Sequence, residues 1–155
     1  MGKFLQGLSE ELSLYVRQLA WLRAVPRDPR KPIDREKEPI SRGKQMEKDG
    51  IEPALPPCRA VDLVNWLMEI GPTVSSGWGQ SAIGWRDLSD WQSCTGIALT
   101  PWEARTLRRL SGDYSAELSE AEDIFRPSPF AMEERIEANR DAVSRKVDAI
   151  LGMRG

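Results

Sequence analysis

Reactive side chains are few in this sequence and poorly placed for chemistry. Histidine is absent, and there are two cysteines, Cys58 and Cys94. Without an imidazole the commonest general base is missing, and with it the Ser-His and Cys-His nucleophile pairs. Two thiols this far apart do not make a zinc site either, so both are expected reduced and partly buried. Carboxylates are plentiful: Asp62, Glu69, Asp87, Asp90, Glu103, Asp113, Glu117, Glu120, Glu122 and Asp123. A catalytic pair would need burial in a polar cleft, whereas these fall on short amphipathic helices and are expected to be solvated. Gly77-Trp-Gly79 has the look of a phosphate-cradling loop, but it lacks both a preceding strand and a Gly-Lys-Ser/Thr ending. The expectation is a protein that is not an enzyme and carries no cofactor or metal.

The aromatic side chains are more informative. Five of the six tryptophans lie between Ala60 and Tyr114: Trp66, Trp78, Trp85, Trp91 and Trp102. Indole rings fill either cores or interfaces. Trp66 and Trp91 fall on apolar helix faces and are expected in the core, with Leu67, Leu88, Leu107, Leu110 and Tyr114. Trp78, Trp85 and Trp102 sit in or beside loops and helix starts, where interface anchors are often found. Core packing and partner contact are equally open for these three, which are the candidate protein-binding residues together with Leu12, Tyr15 and Leu19 of an N-terminal stripe.

The elements that position these residues follow from spacing. Leu8, Leu12, Tyr15, Leu19 and Leu22 alternate steps of four and three, predicting an amphipathic helix within residues 1–25. Ser9 would cap it, Glu10 and Glu11 would suit its first turn, and Pro26 would end it. Residues 26–57 hold seven of the eleven prolines among mixed charges and read as an extended or disordered linker. Residues 60–70 are apolar around most of a helix that stops at Gly71-Pro72. The Gly/Ser-rich stretch to Gly84 reads as a loop, and residues 85–95 as a short helix stopped by Gly96. Thr100-Pro101-Trp102-Glu103 combines an N-cap, a proline at the first helical position and a capping-box glutamate. A last helix is expected from Pro129 with Ser128 as its cap. Met132, Ile136, Asn139, Val143, Val147 and Ile150 keep a heptad-like rhythm along it.

The expected fold is therefore all-α. It comprises a Trp-rich three-helix core over 58–122, the linker at 26–57, and one additional amphipathic helix at each end, 1–25 and 123–155. The formal charge of -2 and a pI near 5.4 argue against a nucleic-acid binder dependent on bulk positive charge. Arg105, Arg108 and Arg109 lie opposite the Leu107/Leu110 stripe and read as a solvated face rather than a DNA-reading one. No apolar run approaches the ~20 residues of a membrane span. The N-terminus carries acids where a targeting peptide would not, which points to the cytoplasm.

Several segments, taken in order, carry a resemblance. They are Leu63-Val-Asn-Trp-Leu-Met-Glu-Ile-Gly71, the loop ending Ile83-Gly-Trp85, Leu88-Ser-Asp-Trp-Gln-Ser-Cys-Thr-Gly96, then Leu99-Thr-Pro-Trp-Glu-Ala-Arg-Thr-Leu-Arg-Arg-Leu-Ser111 and Tyr114. This order, over about a third of the chain, resembles small proteins of tailed bacteriophages that are encoded near the tape-measure gene and described as tail assembly chaperones. The resemblance implies a non-enzymatic role in the host cytoplasm. Such a protein holds the long helical tape-measure protein soluble, helps recruit tail-tube protein, and leaves before the virion is complete. Residues 1–57 and 118–155 extend beyond the pattern; they suggest self-association through the terminal helices, or retention in the virion tail as a structural or adaptor protein. A helix-turn-helix DNA-binding regulator is the remaining alternative.

Overall fold

The computed structural model describes residues 2–32 and 38–152; Ile33 to Lys37 of the expected linker, and the side chains of Ile136, Asn139 and Ile150 in the expected last-helix stripe, lie outside the described residues. The chain is mostly helical. Its elements are α1 (Gly2–Arg23), α2 (Arg42–Lys48), α3 (Val61–Ile70), β1 (Val74–Ser76), β2 (Gly79–Ser81), α4 (Trp85–Thr95), α5 (Pro101–Glu120) and α6 (Pro129–Gly152). No helix among the described residues is long and apolar enough to cross a membrane.

The helix termini follow local chemistry. At the start of α5 the Thr100 hydroxyl accepts from the Glu103 amide at 3.3 Å, while the Thr100 amide donates to the Glu103 carboxylate at 2.7 Å. This reciprocal pair satisfies two amides that a helix start leaves without partners. At α4 the Gly84 amide donates to Asp87 at 2.6 Å. That helix stops at Gly96, whose φ of 72° places it in the left-handed region glycine adopts without penalty. The start of α1 differs from expectation. The helix begins at Gly2, so Ser9 lies in its second turn rather than at its cap.

The core is not confined to residues 58–122. Leu12, Val16 and Ala20 of α1 join Leu63, Val64 and Leu67 of α3, Leu88 of α4, and Leu107, Leu110 and Tyr114 of α5 in one buried cluster, with Ile83. The largest helix-helix interface pairs α1 with α5. The outlying N-terminal helix is thus corrected: its stripe faces the domain's own interior. Enough apolar surface lay on α5 to accept it, and sequence spacing alone does not say which surface a stripe will meet. Conversely α3 has an outer face, with Val61, Asn65 and Glu69 exposed.

Residues 38–57 are likewise not simply a spacer. Ser41 caps α2, and the buried Arg42 reaches across to the end of α5. Its guanidinium donates to the Ala121 carbonyl and, at 2.6 Å, to the Asp123 carbonyl, and it lies 4.9 Å from the Trp21 ring. Burial pushes the Arg42 pKa down from its ordinary value, opposed by the nearby charges of Asp123 and Glu117. The first of these carbonyls belongs to the C-cap residue of α5; the second lies in the turn beyond it, where it also accepts from the Arg126 amide at 3.0 Å. Proline and charge content gave no sign of this strap, because a single arginine and a two-turn helix carry it.

Three polar clips bind the ends together. Gln18, buried on α1, donates to the Ala54 carbonyl at 3.1 Å and accepts from Ser128 at 2.8 Å and from the Phe130 amide at 3.2 Å. The Trp21 indole donates to the Arg126 carbonyl at 2.9 Å. Glu117, only 2% exposed, takes Arg17 of α1 at 3.3 Å and Arg126 at 2.9 Å.

Because Leu12 is fully enclosed, Leu12→Ala should cost about 2–5 kcal/mol of stability. Phe4→Ala, on the exposed first turn of the same helix, should change stability by less than about 0.5 kcal/mol. Urea denaturation followed by circular dichroism checks both; equal small effects would mean that α1 is not part of the core.

Candidate protein-interaction surface

The stretch read as a loop, Gly71 to Gly84, folds as an antiparallel hairpin in which Val74 pairs with Ser81, Ser75 with Gln80 and Ser76 with Gly79. Strands of three residues are too short for alternation to register in sequence, and the turn leaves only Gly77 and Trp78 between them. Gly79 has φ of 126°, a conformation that only glycine adopts freely.

Two strands alone are marginal in water; here α5 supplies the support. The Ser111 hydroxyl, wholly buried, accepts from the Ile83 amide at 2.9 Å and donates to the Pro72 carbonyl at 2.7 Å, gripping both ends of the hairpin. One turn further along α5, Ser115 donates to the Gln80 carbonyl at 2.9 Å. Arg108 donates to the Ile83 carbonyl at 3.4 Å and stacks 4.3 Å from the centre of the Trp85 ring. The hairpin is thus fixed at its base, with Trp78 at its tip.

The three tryptophans proposed as anchors are not brought together. Trp78 is fully exposed, at 101% of its reference area, and Trp85 is 54% exposed beneath Arg108. Trp102 is half-buried, packs against the core, and lines a groove of about 770 Å³ with Leu5, Ser13, Leu14 and Arg109 on the α1 side of α5. The stripe assigned to partners is corrected as well: Leu12 is buried, and Tyr15 and Leu19 pack against the core. Among the residues assigned to the interior, Leu67, Leu88, Leu107, Leu110 and Tyr114 lie in the buried cluster, with Trp66 packed against it. Trp91 is buried, its ring 5.8 Å from that of Trp66 and its Nε1 without a partner among the described residues.

The α5 arginines are not an open basic face. Arg108 is held as described, and Arg109 pairs with Asp113 at 3.4 Å and donates to the Ser9 carbonyl at 3.3 Å. Arg105 is exposed. No three of Cys, Asp and Glu among the described residues form a metal-binding group. Other exposed rings have cationic neighbours: Phe4 lies 5.3 Å from Arg59, and Phe125 lies 4.9 Å from Arg30.

Sequence reasoning missed Ser111, Ser115 and Arg108 as the residues that carry the hairpin. One signal was available: Ser111 interrupts the apolar stripe of α5, and a hydroxyl on a buried face must find partners. No protein-family model matches the chain, and no curated protein or solved structure matches it significantly.

Ser111→Ala leaves the Ile83 amide and the Pro72 carbonyl without their shared partner inside the fold. A loss of about 2–3 kcal/mol is expected, with faster hydrogen exchange at the Ile83 amide; unchanged exchange there would show that the hairpin is held otherwise. The two thiols should also separate. Burial pushes the Cys58 thiol up, whereas Cys94 is exposed. Since the thiolate is the nucleophile, iodoacetamide at pH 8 should label Cys94 well before Cys58, as peptide mass spectrometry would report.

Proposed function

We propose that this chain is a non-enzymatic assembly protein of phage tails, binding tape-measure protein and tail-tube protein during morphogenesis in the host cytoplasm. The partner classes come from the resemblance carried by residues 63–114. The observation that supports a binding role is Trp78, a fully exposed indole on a hairpin fixed at its base by Ser111 and Arg108. A large ring left in water favours association, and buried tryptophans are among the strongest interface anchors. A fold that braces the support of such a ring suits docking better than it suits solubility.

The N-terminal stripe has no part in this reading, since it faces inward. The helix-turn-helix alternative has no observation in its favour, with Arg108 held against the hairpin and Arg109 paired with Asp113 at the surface.

Co-expression with the tape-measure reading frame of the same genome tests the proposal. The tape-measure protein should be recovered soluble and co-purify with this chain, and should aggregate without it. Equal solubility in both cases, with neither tape-measure nor tail-tube protein retained on the tagged chain, would refute the assembly role.

A further inference from the structure

We infer that α6 is a dimerisation helix, pairing antiparallel with the α6 of a second copy of this chain. The inference is independent of the assembly role proposed above and rests on how α6 sits and on the order of its residues.

The base of α6 is held by the rest of the molecule. Pro129 is buried, Phe130 is half-buried, and Gln18 of α1 accepts from the Ser128 hydroxyl and the Phe130 amide. From Ala131 to Val147 every described side chain is exposed, Met132 at 40%, Val143 at 61% and Val147 at 48% among them. The element that α6 packs against is α1, and a groove of about 770 Å³ lined by Glu137, Leu14 and Trp102 opens beside it. A helix gains most of its stability by packing one face, and the described part of the domain gives α6 little to pack on beyond its first turn. A second chain supplies that surface.

Residue order defines the partner. Met132, Ile136, Asn139, Val143, Val147 and Ile150 are spaced four, three, four, four and three apart. That averages close to the ~3.6 residues of a helical turn, so the stripe runs straight along the helix for roughly 27 Å. So narrow a stripe is a seam for one helix. Residues 129–139 carry Glu133, Glu134 and Glu137 against Arg135, while residues 140–152 carry Arg140, Arg145 and Lys146 against Asp141 and Asp148. One half is net acidic and the other net basic, which makes the helix complementary to its own reverse. Two copies laid antiparallel set acidic on basic at both ends; laid parallel, they would set like on like. Asn139 sits within two residues of the middle of Pro129–Gly152, so a two-fold axis there places it beside its symmetry mate. An amide both donates and accepts, and one polar residue in a helical seam fixes its register. The other terminal helix has no share in this, because the stripe of α1 is enclosed.

Sedimentation equilibrium of the full chain should give twice the monomer mass. Val143→Glu brings a carboxylate from each copy to the middle of the seam and should raise the dimer dissociation constant about 100-fold or more. Val143 is exposed within one chain, so the near-ultraviolet dichroism of the tryptophans should not change. Orientation is read from interchain disulfides in a Cys94→Ser background, which removes the exposed thiol. Oxidation of Met132→Cys mixed with Ile150→Cys should link the two variants, and Met132→Cys alone should stay unlinked. A monomeric wild-type chain, a larger assembly, or a dimer indifferent to Val143→Glu would overturn the inference. So would absence of the mixed link, or a Met132→Cys disulfide with itself, which marks a parallel pair. Loss of the tryptophan dichroism in Val143→Glu would also overturn it, by making that face part of one chain's own fold.

Discussion

The arrangement of this molecule depends on a carboxylate that is almost wholly enclosed. Glu117 lies near the end of α5 at 2% exposure, and a charge there is tolerable only if paired and hydrogen-bonded. Its partners come from two directions: Arg17 on α1, and Arg126 in the segment leading to α6, which donates at 3.0 and 2.9 Å to its two oxygens. The pairing therefore fixes register. Sliding α1 by a turn along α5 would remove Arg17 from Glu117 and Ser13 from Asp113, its 2.8 Å partner. The leucine seam between the two helices supplies most of the attraction, but it is tolerant of position. The buried ion cluster is not, and Gln18 and Arg42 close over the same end.

The legible parts of the fold were those encoded locally. Thr100-Pro-Trp-Glu103 announced α5, Gly96 the end of α4, and Gly71 the end of α3. The spacing of Leu88, Leu107, Leu110 and Tyr114 indicated inward faces. What sequence left open was long-range. Leu8 to Leu22 declared a stripe without declaring its mate. Arg42 gave no local sign of reaching a helix end across 79 positions. Residues 74–81 formed strands because Ser111 and Ser115 were waiting for them, not because their own pattern favoured sheet. The candidate surface divided along the same line. Core and partner contact were equally open for Trp78 and Trp102: the first was decided only by the hairpin that holds it out in water, the second only once α1 was placed beside it.

Closure of the domain and support of the hairpin are handled by the two sides of one helix. The face of α5 toward α1 carries Asp113 and Glu117 and closes the domain. The opposite face carries Arg108, Ser111 and Ser115 and holds the hairpin out. The hydroxyls and guanidinium that anchor the hairpin are thus rigid to the extent that α5 is rigid, and α5 is clamped by α1. A mutation in the leucine seam would loosen the distant tip without touching it.

The separation between Arg17 and Glu117 is 100 residues. A ribosome emits roughly 5–20 residues per second, so α1 leaves the exit tunnel roughly 5–20 s before its mate on α5. For that interval Leu12, Val16 and Ala20 lack the α5 side of their native core, with only α3 to lie against once it too has emerged. The stripe that is hidden in the finished molecule is therefore open to the cell's general chaperones, or to neighbouring nascent chains, during every round of synthesis.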